Sequence, residues 1–311
     1  PFDTRYIFYS PAVVEYPRWN VMQHMVKPNL ALCATRQLSS SRFRHVFVGQ
    51  GLIDRDPLSL ESRERAYVFP LYLYSSEEKR ERVKRGGSAI TLALFESQPA
   101  YGTRKPNLSP DFIDAISNKL VLTFISDGKG DLEHNLGPED VFHYMYAVFH
   151  SPTYRERYAE FLKIDFPRLP LTSDLDLFRT LASKGEELVP LHLMESPTLD
   201  HLVTRFRGQG DDRVDLVRYA EETSEGLEDL AGLAAGRVYI NKTQYFQGVE
   251  PEVWEFHIGG YQVLHKWLKD RKGRKLSHGD IMHYSKIVVA LKETVRLMQE
   301  IDEVIPSWPI Q

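Results

Sequence analysis

The sequence has little cysteine and no long apolar stretch. Cys33 is the single cysteine among 311 residues, so the chain cannot form an internal disulfide, which is typical of a protein from a reducing cytoplasm. No apolar run approaches the about 20 residues that a membrane helix needs, and no signal peptide is visible. We therefore expect a cytoplasmic protein without a membrane partner. Cys33 itself lies in an apolar run, residues 30–34, which favours a buried strand residue over a nucleophile.

The chain also lacks an excess of positive charge. Its 39 Lys and Arg residues against 43 Asp and Glu residues give a formal net charge of -4, whereas a free-standing nucleic-acid-binding domain is usually basic. This balance argues against nucleic-acid binding over the whole surface. A local basic site is still compatible with this balance, because the distribution of charge decides binding more than the net charge does.

The motifs of several catalytic classes are missing. The sequence has neither the Gly-rich S-adenosylmethionine loop nor the Asn/Asp-Pro-Pro-Tyr/Phe motif of an adenine methyltransferase. It has no phosphate loop ending in Gly-Lys-Ser/Thr, and residues 126–131 predict a turn. The metal-nuclease pattern of spaced carboxylates with Glu-x-Lys has one loose match, at residues 77–79. His134, His143 and His150 lack companions at metal-ligand spacing. We therefore expect no catalysis, metal or cofactor in this chain.

Several short β-strands are predicted from β-branched and aromatic residues in alternation. Aromatic alternation predicts an entry strand within residues 1–10. Another aromatic strand is predicted at residues 67–74, and Pro70 favours an edge or bulged position for it. Further strands are predicted at residues 30–35, 46–48, 120–125 and 214–219.

Helices are predicted in the middle and at the end of the chain. Ser109 and Ser151 are followed by proline, which is typical of a helix start. Ser277 with Asp280 forms a capping-box pattern that starts a long final helix, reaching about Glu303. The other predicted helices span residues 17–26, 110–119, 138–150, 152–162, from Ser173 or Asp174 to 184, and 186–195.

Together these patterns predict an α+β fold with a mixed sheet, a helical middle segment and a long C-terminal helix. The helical segment covers about residues 137–195. Because the chain shows no internal repeat and no long linker, residues 1–311 are predicted to form a single domain.

The most distinctive stretch spans residues 236–284. Its predicted parts are, in order, a strand at 238–240, a polar loop at 241–247, a second strand at 253–258, a Gly-Gly break, a short helix and a basic turn at 269–275. Its aromatic residues Trp254, Tyr261 and Trp267 favour core packing over base stacking.

Within this stretch, VYINKTQYF, VWEFHIGGYQV, and KWLKDRKGR followed by DIMHYSKIV resemble the C-terminal region of type ISP restriction–modification enzymes. PFDTRYIFY at residues 1–9 and YVFPLYLY at 67–74 fit the same family. In that family a nuclease, a translocase and an adenine-N6 methyltransferase are fused to a C-terminal DNA target-recognition domain.

The resemblance implies sequence-specific recognition of double-stranded DNA without chemistry in this chain. It also implies a parent protein whose methyltransferase domain is a partner and uses S-adenosylmethionine. The start at Pro1, without an initiator methionine, is expected for a piece of such a longer protein.

Three basic or amide-rich segments are the candidates for DNA contact. Arginine binds guanine or phosphate in bidentate fashion, glutamine pairs with adenine, and serine anchors phosphate. On sequence alone, a solvated loop is an equal interpretation of the first segment, residues 36–45. The third segment belongs to the family block, which favours phosphate contact or structure over base reading. The predicted contact residues are Arg36, Gln37, Arg42 and Arg44 from the first segment, Arg104 and Lys105 from the second, and Asn241, Lys242 and Gln244 from the third.

An alternative function is a protein-docking module that couples the methyltransferase to the nuclease and translocase and contacts DNA only peripherally. The acidic charge balance and the helical middle segment favour it. An exposed apolar patch across residues 142–161 would indicate such docking.

Overall fold

The computed structural model describes residues 1–10, 13–14, 17–39, 42–61, 63–75, 104–221 and 236–310. Residues 77–79, which loosely match the nuclease pattern, lie outside the described residues, as do Ser40 and Ser41 of the first basic segment. Within the described ranges the fold is mixed α+β with a long C-terminal helix, as predicted. Its strands form several small sheets rather than one mixed sheet.

The first sheet is antiparallel, with strand order β2-β1-β3. Its strands are β1 (Leu30–Thr35), β2 (Val46–Gln50) and β3 (Ala66–Pro70). Cys33 in the central strand is 1% exposed, and burial raises the pKa of its thiol to about 12, so the predicted buried position is confirmed. β3 is an edge strand, as predicted, and Pro70 fits there because proline has no N–H for a further neighbour. The single strand predicted at 67–74 is wrong in its extent, since it is interrupted at Leu71.

One helix and one two-stranded sheet border this sheet, and the N-terminal segment passes beside it. They are α1 (Trp19–Met25), and β4 (Tyr72–Tyr74) paired with β5 (Arg104–Pro106). The predicted entry strand within residues 1–10 is wrong. Phe2 has a left-handed φ of 57°, which a strand does not allow. Its ring packs edge-on against Phe47 at 5.4 Å between centroids, so this aromatic side chain anchors the segment to the core.

The middle of the chain is helical, as predicted. Its elements are α2 (Pro110–Leu120), β6 (Thr123–Phe124), β7 (Asn135–Leu136), α3 (Pro138–His150), α4 (Pro152–Arg157), α5 (Ala159–Leu162) and α6 (Leu175–His192). Ser109, Ser151 and Asp174 cap α2, α4 and α6 through their side chains. Three predictions need correction here. The helix expected at 152–162 is divided into α4 and α5 at Tyr158. The two helices expected between residues 174 and 195 are one helix, and the strand expected at 120–125 shrinks to β6 because α2 extends through Leu120.

Helices α3 and α6 approach each other closely. A Cβ atom on Gly185 of α6 would lie 1.9 Å from the carbonyl oxygen of His143 in α3, so only glycine fits this crossing. His143 and His150 are buried in the core, whereas His134 is exposed. Among the described residues, no three potential metal ligands gather into a binding group.

The C-terminal third contains a four-stranded antiparallel sheet of order β8-β11-β10-β9. Its strands are β8 (Arg205–Arg207), β9 (Arg218–Glu221), β10 (Gly236–Tyr239) and β11 (Tyr245–Val249). β9 replaces the strand expected at 214–219, since pairing with β10 starts only at Arg218. The loop expected at 241–247 is shorter than predicted, because its residues from Tyr245 onward belong to β11.

The elements that follow are α7 (Pro251–Trp254), β12 (His257–Ile258), β13 (Tyr261–Gln262), α8 (Val263–Lys269) and α9 (His278–Val304). The strand predicted at 253–258 is wrong over its first half, because Pro251 at the first helical position starts α7. Ser277 and Asp280 form the predicted capping box of α9. None of the helices in the described ranges is both long enough and apolar enough to cross a membrane.

A buried hydrogen-bond network joins the first sheet to the helices. The Tyr146 hydroxyl accepts from the Val48 backbone N–H at 3.1 Å and donates to His192 Nδ1. His192 Nε2–H donates to the Thr294 hydroxyl at 2.9 Å, and this hydroxyl donates to the Ala290 carbonyl at 2.7 Å. Tyr146 and Thr294 are 0% exposed. The network therefore connects β2, α3, α6 and α9 without contact with water.

Replacing Tyr146 with phenylalanine removes the centre of this network. Tyr146→Phe leaves the Val48 N–H and His192 Nδ1 buried without a partner, so we expect the free energy of unfolding to fall by about 1–3 kcal/mol. Urea denaturation measures this loss. Tyr158→Phe is the matched control, since the Tyr158 hydroxyl forms no hydrogen bond within the described part of the chain. Equal stability of the two variants would contradict the role of the network.

Buried histidines make stability depend on pH. Burial lowers the pKa of His143 to about 4 and that of His192 to about 3, and it holds the pKa of His150 well below the ordinary 6.5. Below about pH 6.5 the unfolded chain therefore binds more protons than the folded chain. We expect the free energy of unfolding to fall by about 1.4 kcal/mol per pH unit for each histidine as the pH drops from about 6 toward 4. Urea denaturation across this range tests the sign, and constant stability would refute it.

Candidate nucleic-acid interface

The first basic segment is a loop that connects two adjacent strands. It leaves the central strand β1 after Thr35 and enters β2 at Val46, as the sequence predicts. Arg36, Gln37 and Arg42 are exposed. Arg44 is partly buried, and this burial, together with the neighbouring Arg42, lowers the pKa of its guanidinium. The loop therefore presents two arginines and a glutamine to solvent.

A buried carboxylate holds both ends of this loop. Glu64 is 1% exposed and lies just before β3. Its Oε1 accepts from the Ser39 backbone N–H at 2.8 Å. Its Oε2 accepts from the Ser59 hydroxyl at 2.7 Å and from His45 at 3.1 Å. We call this arrangement of Glu64, His45 and Ser59 the carboxylate clasp.

His45 connects Glu64 to the end of the loop that lies next to β2. The side chain is 0% exposed, and burial lowers its pKa despite the opposing attraction of Glu64, so the ring is neutral near pH 7. A carboxylate only accepts, so His45 donates through Nε2 and its Nδ1 is free to accept. The Arg44 backbone N–H lies 3.4 Å from this Nδ1. Ser39 and Arg44 are thus both connected to Glu64, directly or through His45.

The Gly-Gly break of the distinctive stretch packs against the same loop. The Gly259 N–H donates to the Arg44 carbonyl at 2.7 Å, and the Gly260 N–H donates to the Leu58 carbonyl at 2.8 Å. Gly259 has a φ of +58°, and a Cβ atom there would lie 1.9 Å from the Leu58 carbonyl oxygen. Only glycine therefore fits this turn, which couples the distinctive stretch to the basic loop.

The beginning of the loop lies against the segment after α5. The Leu38 N–H donates to the Lys163 carbonyl at 3.1 Å. Arg36 forms an ion pair with Asp165 at 3.3 Å, and these side chains are 57% and 46% exposed. An ion pair this exposed is weak. Arg36 can therefore exchange Asp165 for a phosphate or a base at little cost.

The second predicted segment is a strand rather than a loop, because residues 104–106 pair with β4. The Arg104 guanidinium lies 3.9 Å from the centroid of the Tyr72 ring, and its Nε donates to Asp127 at 2.8 Å. Arg104 is therefore held by partners within the fold. Lys105 is exposed and keeps its place as a predicted contact.

The third predicted segment is a hairpin turn whose amide side chains are structural. Gln244 is 2% exposed, and its amide donates to the Asp212 carboxylate at 2.7 Å and accepts from the Asp212 N–H at 2.9 Å. The Asn241 side chain accepts from the Gln244 N–H at 2.7 Å and donates to the Arg213 carbonyl at 3.1 Å. The prediction that Gln244 contacts DNA directly is wrong, because the polar atoms of its side chain face the interior. The amide of Asn241 is likewise used by the turn.

Lys242 lies at the exposed tip of that turn. An adjacent groove of about 450 Å³ is lined by Lys242, Thr243, Asp211 and Asp215, among others. The two carboxylates oppose the approach of a phosphate. Lys242 stays a predicted contact in a setting less favourable than that of the first loop.

The sequence-based prediction missed the arginines of the four-stranded sheet. Arg205, Arg207 and Arg218 are exposed on its two edge strands. Arginine alternates with an apolar residue in Arg205-Phe206-Arg207, which is a signal of a two-faced strand. A strand of three residues between polar loops is too short for that signal to stand out. Trp254 and Trp267, in contrast, are buried core residues, as predicted.

Comparison with protein families gives one match that covers nearly the whole chain. The model of the type ISP C-terminal specificity domain matches residues 1–300. No curated protein matches the chain at a significant level.

Three solved structures share the fold at low sequence identity. The DrdV–DNA complex has a TM-score of 0.67 and 18% identity over 96% of this chain. A nuclease-deletion mutant of the type ISP restriction–modification enzyme LlaGI, with a DNA substrate mimic, has a TM-score of 0.61 and 16% identity over 100%. The ATP-dependent type ISP enzyme LlaBIII, bound to DNA, has a TM-score of 0.58 and 16% identity over 92%. The chain spans only 27%, 20% and 16% of these three proteins.

Weakening the carboxylate clasp should release the basic loop. In Glu64→Gln one acceptor oxygen becomes an NH₂ group that faces donors, so at least one hydrogen bond of the clasp is lost. We expect faster amide hydrogen exchange at Ser39 and Arg44, measured by NMR or mass spectrometry, with exchange in the core of α9 less affected. Glu61→Gln is the matched control, since the Glu61 side chain is exposed nearby. Unchanged exchange in Glu64→Gln would show that the clasp does not hold the loop.

Proposed function

The chain belongs to the family of type ISP C-terminal specificity domains, and from this premise we propose that it recognises the DNA target sequence of a type ISP restriction–modification enzyme. In this proposal the parent protein carries an adenine-N6 methyltransferase domain, which uses S-adenosylmethionine and modifies the site that this chain selects. The chain itself contributes binding and no catalytic step. The three structural neighbours, all complexes with DNA or a DNA mimic, support this assignment.

The clasped basic loop is the observation that carries the proposal. Reading bases requires side chains that are held in a fixed position before DNA arrives, because a loop that orders on binding loses affinity. Glu64, His45 and Gly259 fix the two ends of the loop through buried groups. Arg36, Gln37 and Arg42 project from this fixed frame into solvent. Arginine and glutamine are the side chains that read guanine and adenine in the major groove.

Arg44 has a different role in this proposal. It is partly buried and its carbonyl accepts from Gly259, so its position is set by the core. Such a side chain suits contact with a phosphate that fixes the register of the duplex. Lys105 and Lys242, both exposed, are further candidates for phosphate contact.

Protein docking is a second candidate function, and one surface favours it. The predicted patch across residues 142–161 is largely internal, since Phe142 and Phe149 are 2% exposed. Only its end is open, where Phe161 is 70% exposed. Nearby, Ile164 is 66% exposed, and Phe166 packs against Tyr67 and Phe69 of the edge strand β3. Such a cluster is suited to contact with the methyltransferase domain of the parent protein.

Selection from a randomised duplex pool, followed by sequencing, tests base reading by this chain. We expect the 311-residue chain to enrich one short site at low and moderate salt. Arg36→Ala or Arg42→Ala should weaken the preference at one position by about 10- to 100-fold, the equivalent of about 1–3 kcal/mol for a bidentate base contact. Both side chains are exposed, so neither variant disturbs the core.

Arg157→Ala is the matched control, because Arg157 is exposed on α4 outside the loop, and it should leave the enriched site unchanged. Salt-sensitive binding without enrichment would limit the chain to phosphate contact. Absence of binding even at low salt would favour the docking function instead.

A further inference from the structure

The outer face of the four-stranded sheet is built from arginine and tyrosine. Residues directly opposite in antiparallel strands share a face. Phe206, Val238 and Phe246 point inward, where Phe246 packs on Tyr284 of α9 at 4.3 Å between centroids. Two rows of paired residues occupy the other face. They are Arg207, Tyr245, Tyr239 and Arg218 in the first row, and Arg205, Gln247, Arg237 and Ala220 in the second.

This face carries four guanidinium groups and, among its paired residues, no carboxylate. Arg205, Arg207 and Arg218 are exposed. Within the described part of the chain, none of these three forms an ion pair. The contrast with the rest of the surface is large, because the chain as a whole has a net charge of -4. Four positive charges are therefore gathered on this face of the sheet.

Aromatic rings orient two of the guanidinium groups. Arg218 lies 4.4 Å from the centroid of the Tyr239 ring, and Arg237 lies 4.9 Å from that of Tyr245. The two rings contact each other at 5.0 Å. A guanidinium that stacks on a ring keeps its N–H edges free for an acceptor. Arg218 is thus positioned in advance for an oxygen ligand in front of the sheet.

The spacing across the face suits an extended polyanion. Neighbouring strands lie about 4.8 Å apart, so Arg207 and Arg218 on the two edge strands are about 14 Å apart at their Cα atoms. Duplex DNA carries one negative charge per about 1.7 Å of its axis, so both edges of the sheet can meet phosphates at the same time. A single small anion would engage only one edge.

We propose that this arginine–tyrosine face binds the sugar–phosphate backbone of duplex DNA, beside the site that the clasped loop reads. This inference rests on the proposed function of target recognition and adds a second contact surface to it. The face positions the duplex and contributes affinity for every sequence, whereas the loop selects the bases.

The test compares two double variants that remove the same charge. Arg207→Gln with Arg218→Gln removes both edge arginines of the face, and Arg18→Gln with Arg157→Gln removes two exposed arginines elsewhere. Binding of the 311-residue chain to a randomised duplex pool is measured between about 50 and 200 mM salt, and bound DNA is sequenced. The sheet variant should bind more weakly at each salt concentration. Its slope of log K against log salt should be smaller by about 2, since each lost phosphate contact removes about 0.9.

The enriched sequence should stay the same in both double variants, and the control should keep the affinity and slope of the unmodified chain. If the sheet variant matches the control in affinity and slope while both bind DNA, the inference is overturned and the proposed function stands. A change in the enriched sequence would assign base reading to the face and overturn its role as a backbone contact. If the unmodified chain binds no duplex, the proposed function fails and the inference fails with it.

Discussion

Three elements of the fold meet at one buried hydroxyl group, that of Tyr146, and His192 connects them to a fourth. The hydroxyl accepts from β2 through the Val48 N–H and donates to His192 of α6, which reaches Thr294 of α9. Each member of this network is buried, so a displacement of any element leaves a polar group without a partner in a medium that penalises it. The position of β2 relative to the helices is therefore narrowly fixed. Since the basic loop ends where β2 begins, the network also fixes the position of that end of the loop.

A second buried polar arrangement sets the shape of the loop itself. The carboxylate clasp joins Ser39 and Arg44 to Glu64, and Gly259 adds a backbone contact from the C-terminal part of the chain. The negative charge of Glu64 thus lies inside the protein, where it supports a basic loop. The net charge of -4 therefore does not describe the outer face of the four-stranded sheet, whose paired residues include four arginines and no carboxylate.

Local signals in the sequence were sufficient for much of the fold. Capping by Ser109, Ser151 and Ser277 involves donors within three residues, so it can be recognised from the sequence alone. The same holds for the edge position of β3, which Pro70 imposes. The pattern at residues 253–258 misled because its apolar alternation outweighed Pro251, whose place at a helix start was the better signal.

The site was harder to predict because its supporting contacts join residues distant in sequence. Gln244 resembles a base-reading amide, but its partner Asp212 lies 32 positions away, and only the fold reveals that the pair is internal. Glu64 and Gly259 carried no signal of a role at residues 36–45 for the same reason. The arginine–tyrosine face of the four-stranded sheet can be recognised only from the register of all its strands, because each strand contributes only two of its residues.

The structure separates the side chains proposed to read DNA from the groups that hold them in place. The carboxylate clasp holds the loop through the Ser39 backbone N–H, the Ser59 hydroxyl and the His45 ring. The entropy of ordering the loop is lost during folding rather than during binding, which favours affinity. The same separation means that exposed positions of the loop can change without loss of its support. In such a scaffold the exposed residues of the loop can be replaced while the buried clasp and the glycine turn stay as they are.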